Sequence, residues 1–247
     1  MNDDEALVHS RREFLGAAGA AAAILALGAQ PVAVRAADKM RIGIVGSGRI
    51  GGTLGELWLK AGHEVMFSSL DLDHDKALAA RLGGGARGGT PREAAAFGEA
   101  VLISVPYSAL PQLGRDLADA IKGKVVLDTC NPVPARDGEM AIEARSQGTG
   151  VASPKYLPGA RLVRAFNSVG YSSLRSEAHR AGERIAIPLA ADDALALKTA
   201  ARLVQDAGFE PVVVGTLARA REFDAGTPVY GKALTARELR RGLGPGT

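Results

Sequence analysis

The chain has 247 residues, of which 47% are hydrophobic and 23% charged, a composition typical of one globular α/β unit with an ample core. The net charge is only +3 and no block of Lys or Arg stands out, so the sequence does not support nucleic-acid binding. The only cysteine, Cys130, excludes an internal disulfide, and stability must therefore come from the core.

The first 36 residues are predicted to be a targeting segment that is not part of the fold. The run from Ser10 to Leu15 reads SRREFL and resembles the twin-arginine signal of bacteria and archaea. The apolar run over 15–29 is shorter than the roughly 20 residues that a membrane span needs. We therefore expect recognition by the twin-arginine (Tat) export machinery, a periplasmic or other extracytoplasmic location, and no stable membrane span after cleavage. A leader that stays as an anchor and a disordered amphipathic leader are the alternatives.

From residue 41 onward, apolar runs alternate with segments that have helical periodicity. The apolar runs lack polar alternation, which predicts buried strands over 41–45, 63–67, 100–105, 124–128, 161–166, 184–189 and 211–214. Helices are predicted over 50–61, 75–82, a short stretch after Pro91, 109–121 and 192–207. Residues 131–138 are predicted to be a loop because of Pro132 and Pro134.

This order of elements indicates an α/β fold: a doubly wound, mostly parallel Rossmann sheet with a small C-terminal α/β extension. It divides the chain into the leader 1–36, a dinucleotide-binding domain 37–167 and an extension 168–247 packed on that domain. About 80 residues follow Asn167, too few for the long helical dimerisation domain of hydroxyacid or pyrroline-carboxylate dehydrogenases. A homodimer of another kind stays open.

The strongest motif is the glycine run GSGRIG, which follows the first predicted strand and opens the first predicted helix. Gly46 permits the tight turn, Gly48 lets the backbone approach a diphosphate, and Gly51 lets the helix pack against the strand. Backbone N–H groups and the positive end of the helix would then hold the diphosphate. The motif predicts a dinucleotide site, and the alternative is a structural turn that binds nothing.

The end of the second predicted strand bears on which dinucleotide is bound. An NAD site usually has a carboxylate there, whereas this chain has Ser68, Ser69 and Leu70, and its first acid is Asp71. The two serine hydroxyls can donate hydrogen bonds to a 2′-phosphate, which favours NADP. No arginine follows immediately, so NAD remains possible.

Beyond the glycine motif, short segments occur in an order that resembles one family, the F420-dependent NADP oxidoreductases. The segments are Gly46–Gly51, Ser68–Ser69, Val105–Tyr107, Arg164–Gly170 (RAFNSVG), Ala191–Asp193 and Ala207–Pro211. The resemblance covers about residues 41–217 and implies hydride transfer between the nicotinamide and a deazaflavin, coenzyme F420, or a similar small-molecule acceptor. The same family shares its nucleotide domain with membrane ferric reductases.

The resemblance also implies roles for individual residues. The diphosphate would be lined by Ser47, Arg49 and Ile50, and the 2′-phosphate would lie near Ser68 and Ser69. The nicotinamide would be walled by Val105, Pro106 and Tyr107, and the carboxyl ends of the strands would carry Asn131, Pro132 and Asn167. The sequence departs from the family in two respects: Leu70 stands where members commonly have arginine, and members are typically cytoplasmic.

The remaining reactive residue types give no second site. His9, His63, His74 and His179 are isolated and predicted to lie at the surface, and no metal-ligand spacing occurs. Cys130 is predicted to be a small buried apolar residue, and Asp128 has no predicted partner. Because no catalytic side chain is identified, two alternatives stay open: a non-catalytic nucleotide-binding sensor or accessory module, and a protein similar to metal reductases.

Overall fold

The computed structural model describes residues 39–243. The predicted leader over residues 1–36, which includes His9, lies outside the described residues, as do residues 37–38 and 244–247.

Eight strands form one sheet within the described residues. They are β1 Arg41–Val45, β2 Glu64–Ser68, β3 Ala86–Gly88, β4 Ala100–Ile103, β5 Val125–Asp128, β6 Arg161–Arg164, β7 Ala186–Ala190 and β8 Glu210–Gly215. Their order across the sheet is β3-β2-β1-β4-β5-β6-β7-β8, and every neighbouring pair is parallel except β6 with β7. The prediction of a doubly wound, mostly parallel sheet is confirmed.

Helices connect these strands. They are α1 Arg49–Lys60, α2 Leu72–Leu82, α3 Pro91–Phe97, α4 Leu110–Ile121, α5 Pro134–Gln147, α6 Thr149–Ala152, α7 Tyr171–Ser176, α8 Ala194–Asp206 and α9 Ala236–Gly242, with 3₁₀ turns at Tyr107–Ala109, Ser153–Lys155 and Leu217–Glu222. In the described residues no helix is both long and apolar enough to cross a membrane.

The central strands of the sheet are buried on both faces, as their unbroken apolar sequences require. The edge strand β8 differs from the prediction of a buried strand, because Val213 on one of its faces is exposed. Every residue of β4 and β5 is buried. On one face α1 and α8 pack together, and Trp58 of α1 donates its Nε1–H to the Leu203 carbonyl of α8 at 2.8 Å. On the other face α4 buries Leu117 and Ile121 against Val101 and Val126. The helices cover the two faces of the sheet but not the carboxyl ends of its parallel strands.

Three expectations about the elements need correction. Strand β3 was missed because its three residues, Ala86–Gly88, carry no apolar run and lie at the sheet edge. The segment predicted as a loop over 131–138 becomes helical at Pro134, since proline is tolerated in the first turn of a helix, and α5 then kinks at Gly138 with φ +61°. Helix α2 begins three residues early because the Asp71 side chain caps it, accepting from the His74 N–H at 2.9 Å.

Beyond residue 167 the chain adds β7, α8 and β8 to the same sheet. Around the two added strands lies a further apolar cluster. It includes Val212, Val214, Phe223, Val229 and Leu239. The segment between the last 3₁₀ turn and α9 returns from this cluster to the carboxyl ends of β5 and β6, where the candidate site lies.

Candidate active site

The glycine turn after β1 has the conformation that its sequence predicts. Gly46 has φ +101°, and a Cβ there would lie 2.2 Å from the Ser104 carbonyl oxygen. A Cβ on Gly51 would lie 2.1 Å from the Gly46 carbonyl oxygen, which confirms the close packing of helix against strand. A Cβ on Gly48, by contrast, would meet nothing within 4 Å. Gly48 is therefore not required by packing within the protein and borders open space.

The amino end of α1 is available to an anion. No side chain caps it, and its first turn has no acidic residue. The N–H groups of Gly46 and Ser47 donate to the Ser68 carbonyl oxygen at 2.8 and 3.0 Å, so the turn is anchored to the end of β2. The uncapped helix end and the open space at Gly48 fit a diphosphate, which would bind N–H groups beginning at residue 48.

The loop is supported from beneath by Asp75, a buried carboxylate that the sequence analysis missed. Asp75 is completely buried on α2 and accepts hydrogen bonds from the Ser47 hydroxyl and, at 2.9 Å, from the Ser69 hydroxyl. It therefore joins the glycine turn to the tip of β2. Ser47, which was expected to line the diphosphate, is itself buried and supports the turn. The sequence contained one signal of this burial: Asp75 lies one helical turn before Ala79, on the face of α2 that is buried.

The tip of β2 differs from expectation at Ser68. This residue is fully buried and its hydroxyl donates to the Ile44 carbonyl at 2.7 Å, so it is not a donor to a 2′-phosphate. Side chains alternate between the faces of a strand, and that of Ser68 points into the sheet interior. Ser69 donates to Asp75, and the side chain of Leu70 is fully exposed. The tip presents an apolar side chain where arginine was the family expectation.

Two adjoining cavities form a groove along the carboxyl edge of the sheet. The first, of about 390 Å³, is lined from the start of α1, the segment after β4 and the segment after β5. The second, of about 380 Å³, is lined mainly by residues 166–173 and Tyr230. Four residues border both cavities, namely Ile50, Thr129, Asn131 and Tyr230. The groove thus brings together half of the predicted site residues, namely Gly48, Arg49, Ile50, Val105, Pro106, Asn131 and Asn167.

Of the other predicted site residues, five belong to the glycine turn, the start of α1 and the tip of β2, and two, Tyr107 and Pro132, lie elsewhere. Tyr107 is completely buried, its hydroxyl is 3.3 Å from the Ser153 hydroxyl, and burial raises the pKa of that phenol. The 3₁₀ turn at Tyr107–Ala109 directs the ring into the apolar cluster beneath α4, so it does not wall the nicotinamide side. Pro132 is also buried and borders a different cavity with Arg145 and Asp224. Both expectations are therefore wrong. Each residue follows the carboxyl end of a strand, but the path of the chain beyond that strand turns its side chain away from the groove.

A positive charge lies beside the groove. The guanidinium of Arg49 is stacked over the ring of Tyr171, 5.0 Å from its centroid. Arg49 borders the first cavity and Tyr171 the second. The stacking holds an exposed cation next to the uncapped end of α1, in a position that suits an anionic ligand.

Beneath the groove, Asp128 has the partner that the sequence did not reveal. Its Oδ2 lies 2.7 Å from Nη1 of Arg164, and both side chains are fully buried. The same guanidinium donates to the carbonyls of Asp128 and Cys130 at 3.1 and 3.0 Å. Burial opposes the charge of Arg164, but the carboxylates of Asp128 and Asp224 outweigh it and raise the pKa of the guanidinium. Asp128 is therefore a structural ion-pair partner.

Cys130 is buried in the apolar cluster, as predicted. Burial and the nearby charge of Asp128 raise the pKa of its thiol well above the usual value. The thiol consequently stays protonated and is a poor nucleophile. Cys130 contributes shape to the first cavity.

The histidines divide into two groups. His74 and His179 are exposed, as predicted. The surface prediction is wrong for His63, which is buried between the Met40 N–H at 3.1 Å and Asp206 at 3.0 Å. Among residues 39–243, no group of three or more His, Cys, Asp or Glu side chains could hold a metal ion.

The segment that builds the turn, the tip of β2 and the first cavity has known relatives. Residues 41–132 match the family described as NADP oxidoreductase, coenzyme F420-dependent. Over this segment of 92 residues, out of 247, the chain is similar to that oxidoreductase family. The match begins at β1 and ends at Pro132, just after β5.

Two individual relatives are similar to this chain over about three quarters of its length. The chain is 27% identical over 188 residues to the rat (Rattus norvegicus) protein named metalloreductase STEAP3, a match that covers 75% of this chain and 36% of the relative. It therefore spans about a third of the length of that protein. It is 26% identical over 204 residues to the F420-dependent NADP reductase of Methanothermobacter thermautotrophicus, covering 77% and 87% of the two chains.

Among solved structures, the hypothetical protein SMa0349 from Sinorhizobium meliloti has the same fold, with a TM-score of 0.67 and 23% identity. That match covers 80% of this chain and 95% of the other.

Proposed function

We propose that this protein is an exported NAD(P)H-dependent oxidoreductase that transfers hydride between a nicotinamide and a deazaflavin such as F420, or a similar acceptor. The observation that carries the proposal is the open, uncapped amino end of α1, which borders a groove formed by two adjoining cavities. The similarity of residues 41–132 to the family described as NADP oxidoreductase, coenzyme F420-dependent, supports the same chemistry.

Different residues of the groove would bind the diphosphate, the nicotinamide and the acceptor. The amino end of α1 and Arg49 would hold the diphosphate, and Val105 and Pro106 would form one wall of the nicotinamide position. Asn131 and Asn167 border the second cavity, where the acceptor would lie. A bound nicotinamide supplies the hydride, so the chain's own part is to hold two rings in contact and exclude water from between them.

For the nucleotide we propose NADP(H), with NAD(H) as the alternative. The family and its named reductase relative support NADP(H). The exposed Leu70 and the engaged hydroxyls of Ser68 and Ser69 provide no strong contact for a 2′-phosphate, which keeps NAD(H) open. Comparative calorimetric titration with NADPH and NADH decides between them.

Export through the twin-arginine route is part of the proposal. The SRREFL motif supports it, and this route carries proteins that are already folded. A nucleotide bound in the cytoplasm could therefore leave with the protein. Mass spectrometry of protein purified from its native compartment should recover a pyridine nucleotide, and repeated recovery of none would contradict loading before transport.

A second candidate is reduction of a metal complex, because one relative is named a metalloreductase. This route would need a flavin that takes the hydride from NADPH and passes its two electrons, one at a time, to two ferric ions. The remaining alternative is a nucleotide-binding module without turnover. Stopped-flow mixing of the NADPH-loaded protein with F420, and separately with FMN and a ferric chelate, distinguishes the three. F420 reduction supports the first proposal, ferric reduction the second, and binding of NADPH without oxidation by either acceptor the third.

A substitution at Gly48 tests the nucleotide site itself. Gly48→Ala adds a methyl group that meets nothing within the protein, so the melting temperature should stay close to that of the wild type. The same methyl group enters the space assigned to the diphosphate, and nucleotide affinity should fall about tenfold or more. Calorimetry and thermal melting measure the two effects. As a control, Gly51→Ala should lower the melting temperature, since its Cβ would lie 2.1 Å from the Gly46 carbonyl oxygen. Unchanged nucleotide affinity in Gly48→Ala would contradict the proposal.

A further inference from the structure

Asp137, which the sequence analysis did not single out, contacts both of the segments that line the first cavity. The segment after β4 contributes Val105 and Pro106 to that lining, and the segment after β5 contributes Asn131 and Val133. Asp137 lies in the first turn of α5, and its side chain is completely buried. Because the two segments leave different strands, their separation depends on the contacts that join them.

The carboxylate of Asp137 accepts hydrogen bonds from both segments. Its Oδ1 accepts from the Ser108 N–H at 3.2 Å and from the Ser108 hydroxyl at 2.9 Å. Its Oδ2 accepts from the Val133 N–H at 2.9 Å. The bond from Val133 also satisfies the amino end of α5, but Ser108 lies 29 residues before Asp137 and its bonds do not serve that helix. The buried carboxylate is therefore a bridge between the segments after β4 and β5.

Arg136 joins the same carboxylate to the wall of the cavity. Its Nε and Nη2 donate to the two carboxylate oxygens of Asp137 at 2.9 and 2.8 Å, and Nη2 also donates to the Asn131 carbonyl at 2.9 Å. Arg136 itself borders the first cavity. Burial opposes the charge of Asp137, but its hydrogen bonds, first of all those from Arg136, outweigh burial and hold the pKa of the carboxyl well below its usual value. The carboxylate therefore stays charged, and its bonds to both segments persist at neutral pH.

We propose that Asp137 is a positioning residue for the nicotinamide, because it holds the segments after β4 and β5 at the separation that the ring requires. The carboxylate does not touch the ligand and acts through Ser108 and Val133. A slot that is already formed binds the ring without the cost of ordering two segments, and it keeps the ring in one orientation. The glycine turn has a support of its own in Asp75, so loss of Asp137 should weaken nicotinamide binding selectively. This inference rests on the proposed function and adds a residue to its site.

The test compares ligands that carry the nicotinamide with ligands that lack it, in the absence of any acceptor. NADPH and NADH are titrated by calorimetry, and so are 2′-phospho-ADP-ribose and ADP-ribose, the corresponding molecules without the nicotinamide. Asp137→Asn removes the charge at nearly constant volume, and the Kd of the dinucleotide that binds should rise by roughly three- to tenfold. The Kd of its counterpart without the nicotinamide should change by less than about twofold, since the glycine turn is unaltered. Glu139→Gln is the control, because Glu139 is exposed on the same helix and loss of its charge should change neither Kd.

A second variant, Ser108→Ala, weakens the bridge without altering the core. Ser108 is exposed, so this variant should fold normally, and the Kd of the dinucleotide should rise selectively by about threefold through the loss of one hydrogen bond. The fluorescence anisotropy of the bound reduced nicotinamide should fall in both variants, because a slot that is no longer held leaves the ring more mobile. A general loss of stability would not produce this signature.

The inference is overturned if the Kd values with and without the nicotinamide rise by the same factor, or if neither Kd nor the anisotropy changes. It is also overturned if Glu139→Gln has the same effect as Asp137→Asn. Should Asp137→Asn fail to fold, the same outcomes in Ser108→Ala decide the question. Failure of the wild type to bind any of the four ligands, measured first, would instead contradict the proposed function.

Discussion

A single buried carboxylate decides the shape of the nucleotide loop. Asp75 lies on α2, 28 residues after Ser47, yet it receives the hydroxyls of both Ser47 and Ser69. These bonds hold the glycine turn against the tip of β2, so that the first N–H groups of α1 face open space. Preorganisation of this kind strengthens binding because the loop does not have to be ordered when the ligand arrives.

Removing this carboxylate should affect both stability and binding. Asp75→Ala leaves the buried Ser47 hydroxyl without its acceptor and removes one of the two acceptors of the half-buried Ser69 hydroxyl, and the free energy of unfolding should fall by about 1–3 kcal/mol. Nucleotide affinity should fall as well, because the turn loses its support. Urea denaturation and calorimetric titration measure these effects. Asp73→Ala is the matched control on the same helix turn: Asp73 is exposed, and its loss should change stability by less than about 0.5 kcal/mol. Equal effects of the two substitutions would rule out the supporting role.

At the residue scale, conformation was easier to predict than side-chain contact. The roles of Gly46 and Gly51 follow from local geometry, a positive φ and the absence of a Cβ, and both are confirmed. Ser68, Tyr107 and Pro132 were misplaced because their surroundings come from distant parts of the chain. Tyr107, for example, meets Ser153, 46 residues away.

At the scale of elements, His63 joins the start of β1, the turn between α1 and β2, and the end of α8. Its Nδ1 accepts from the Met40 N–H, so that nitrogen is unprotonated, and its Nε2 faces Asp206. Burial lowers the pKa of the imidazole, and the hydrogen bond that its Nε2–H donates to Asp206 only partly offsets that effect. The folded protein therefore holds a neutral His63, which donates through Nε2–H.

This arrangement predicts a loss of stability in mild acid. The unfolded chain takes up a proton on His63 near pH 6.5, whereas the folded protein takes it up only at lower pH. Below about pH 6.5 the unfolded state binds more protons, and the free energy of unfolding falls as the pH decreases from about 7 towards 5. Urea denaturation across this range should show that the stability advantage of the wild type over His63→Gln shrinks with decreasing pH. The exposed His74→Gln variant should run parallel to the wild type, and the same parallel course for His63→Gln would contradict the prediction.

At the scale of the whole molecule, a buried charge network joins the parallel sheet to the C-terminal segment. Arg164 on β6 pairs with Asp128 on β5 and lies 3.7 Å from Asp224, which follows the last 3₁₀ turn. Asp224 in turn accepts from the N–H and hydroxyl of Thr149 at 2.8 and 2.6 Å. The network fixes the segment that carries Tyr230 relative to the strand ends that carry Asn131.

Substitutions that break this network should lower the free energy of unfolding. Asp128→Ala removes the nearer of the two carboxylates that pair with the buried Arg164 and leaves only Asp224, at 3.7 Å, so the free energy of unfolding should fall by about 3–5 kcal/mol in urea denaturation. The double variant Asp128→Leu with Arg164→Met removes both charges and should recover part of the loss. Glu183→Ala breaks the exposed pair with Arg237 and should change stability by less than about 1 kcal/mol. An Asp128→Ala protein as stable as Glu183→Ala would show that the buried pair is not structural.

The order of amino acids alone was enough to predict the sheet type, most of the helices and the glycine turn, because each depends on periodicity or on backbone freedom within a few residues. The edge strand β3 and the helical start at Pro134 fell outside those local rules. Contacts between distant residues were settled only by the packed chain: Asn131 meets Tyr230 across 99 residues and Arg164 meets Asp128 across 36. Sequence periodicity does not reveal such pairs, because either residue could pair with many others before the strands are arranged side by side in the sheet. The contact between Asn131 and Tyr230 in the groove is therefore determined by the tertiary structure. The glycine turn, by contrast, is determined by residues that are close together in the sequence.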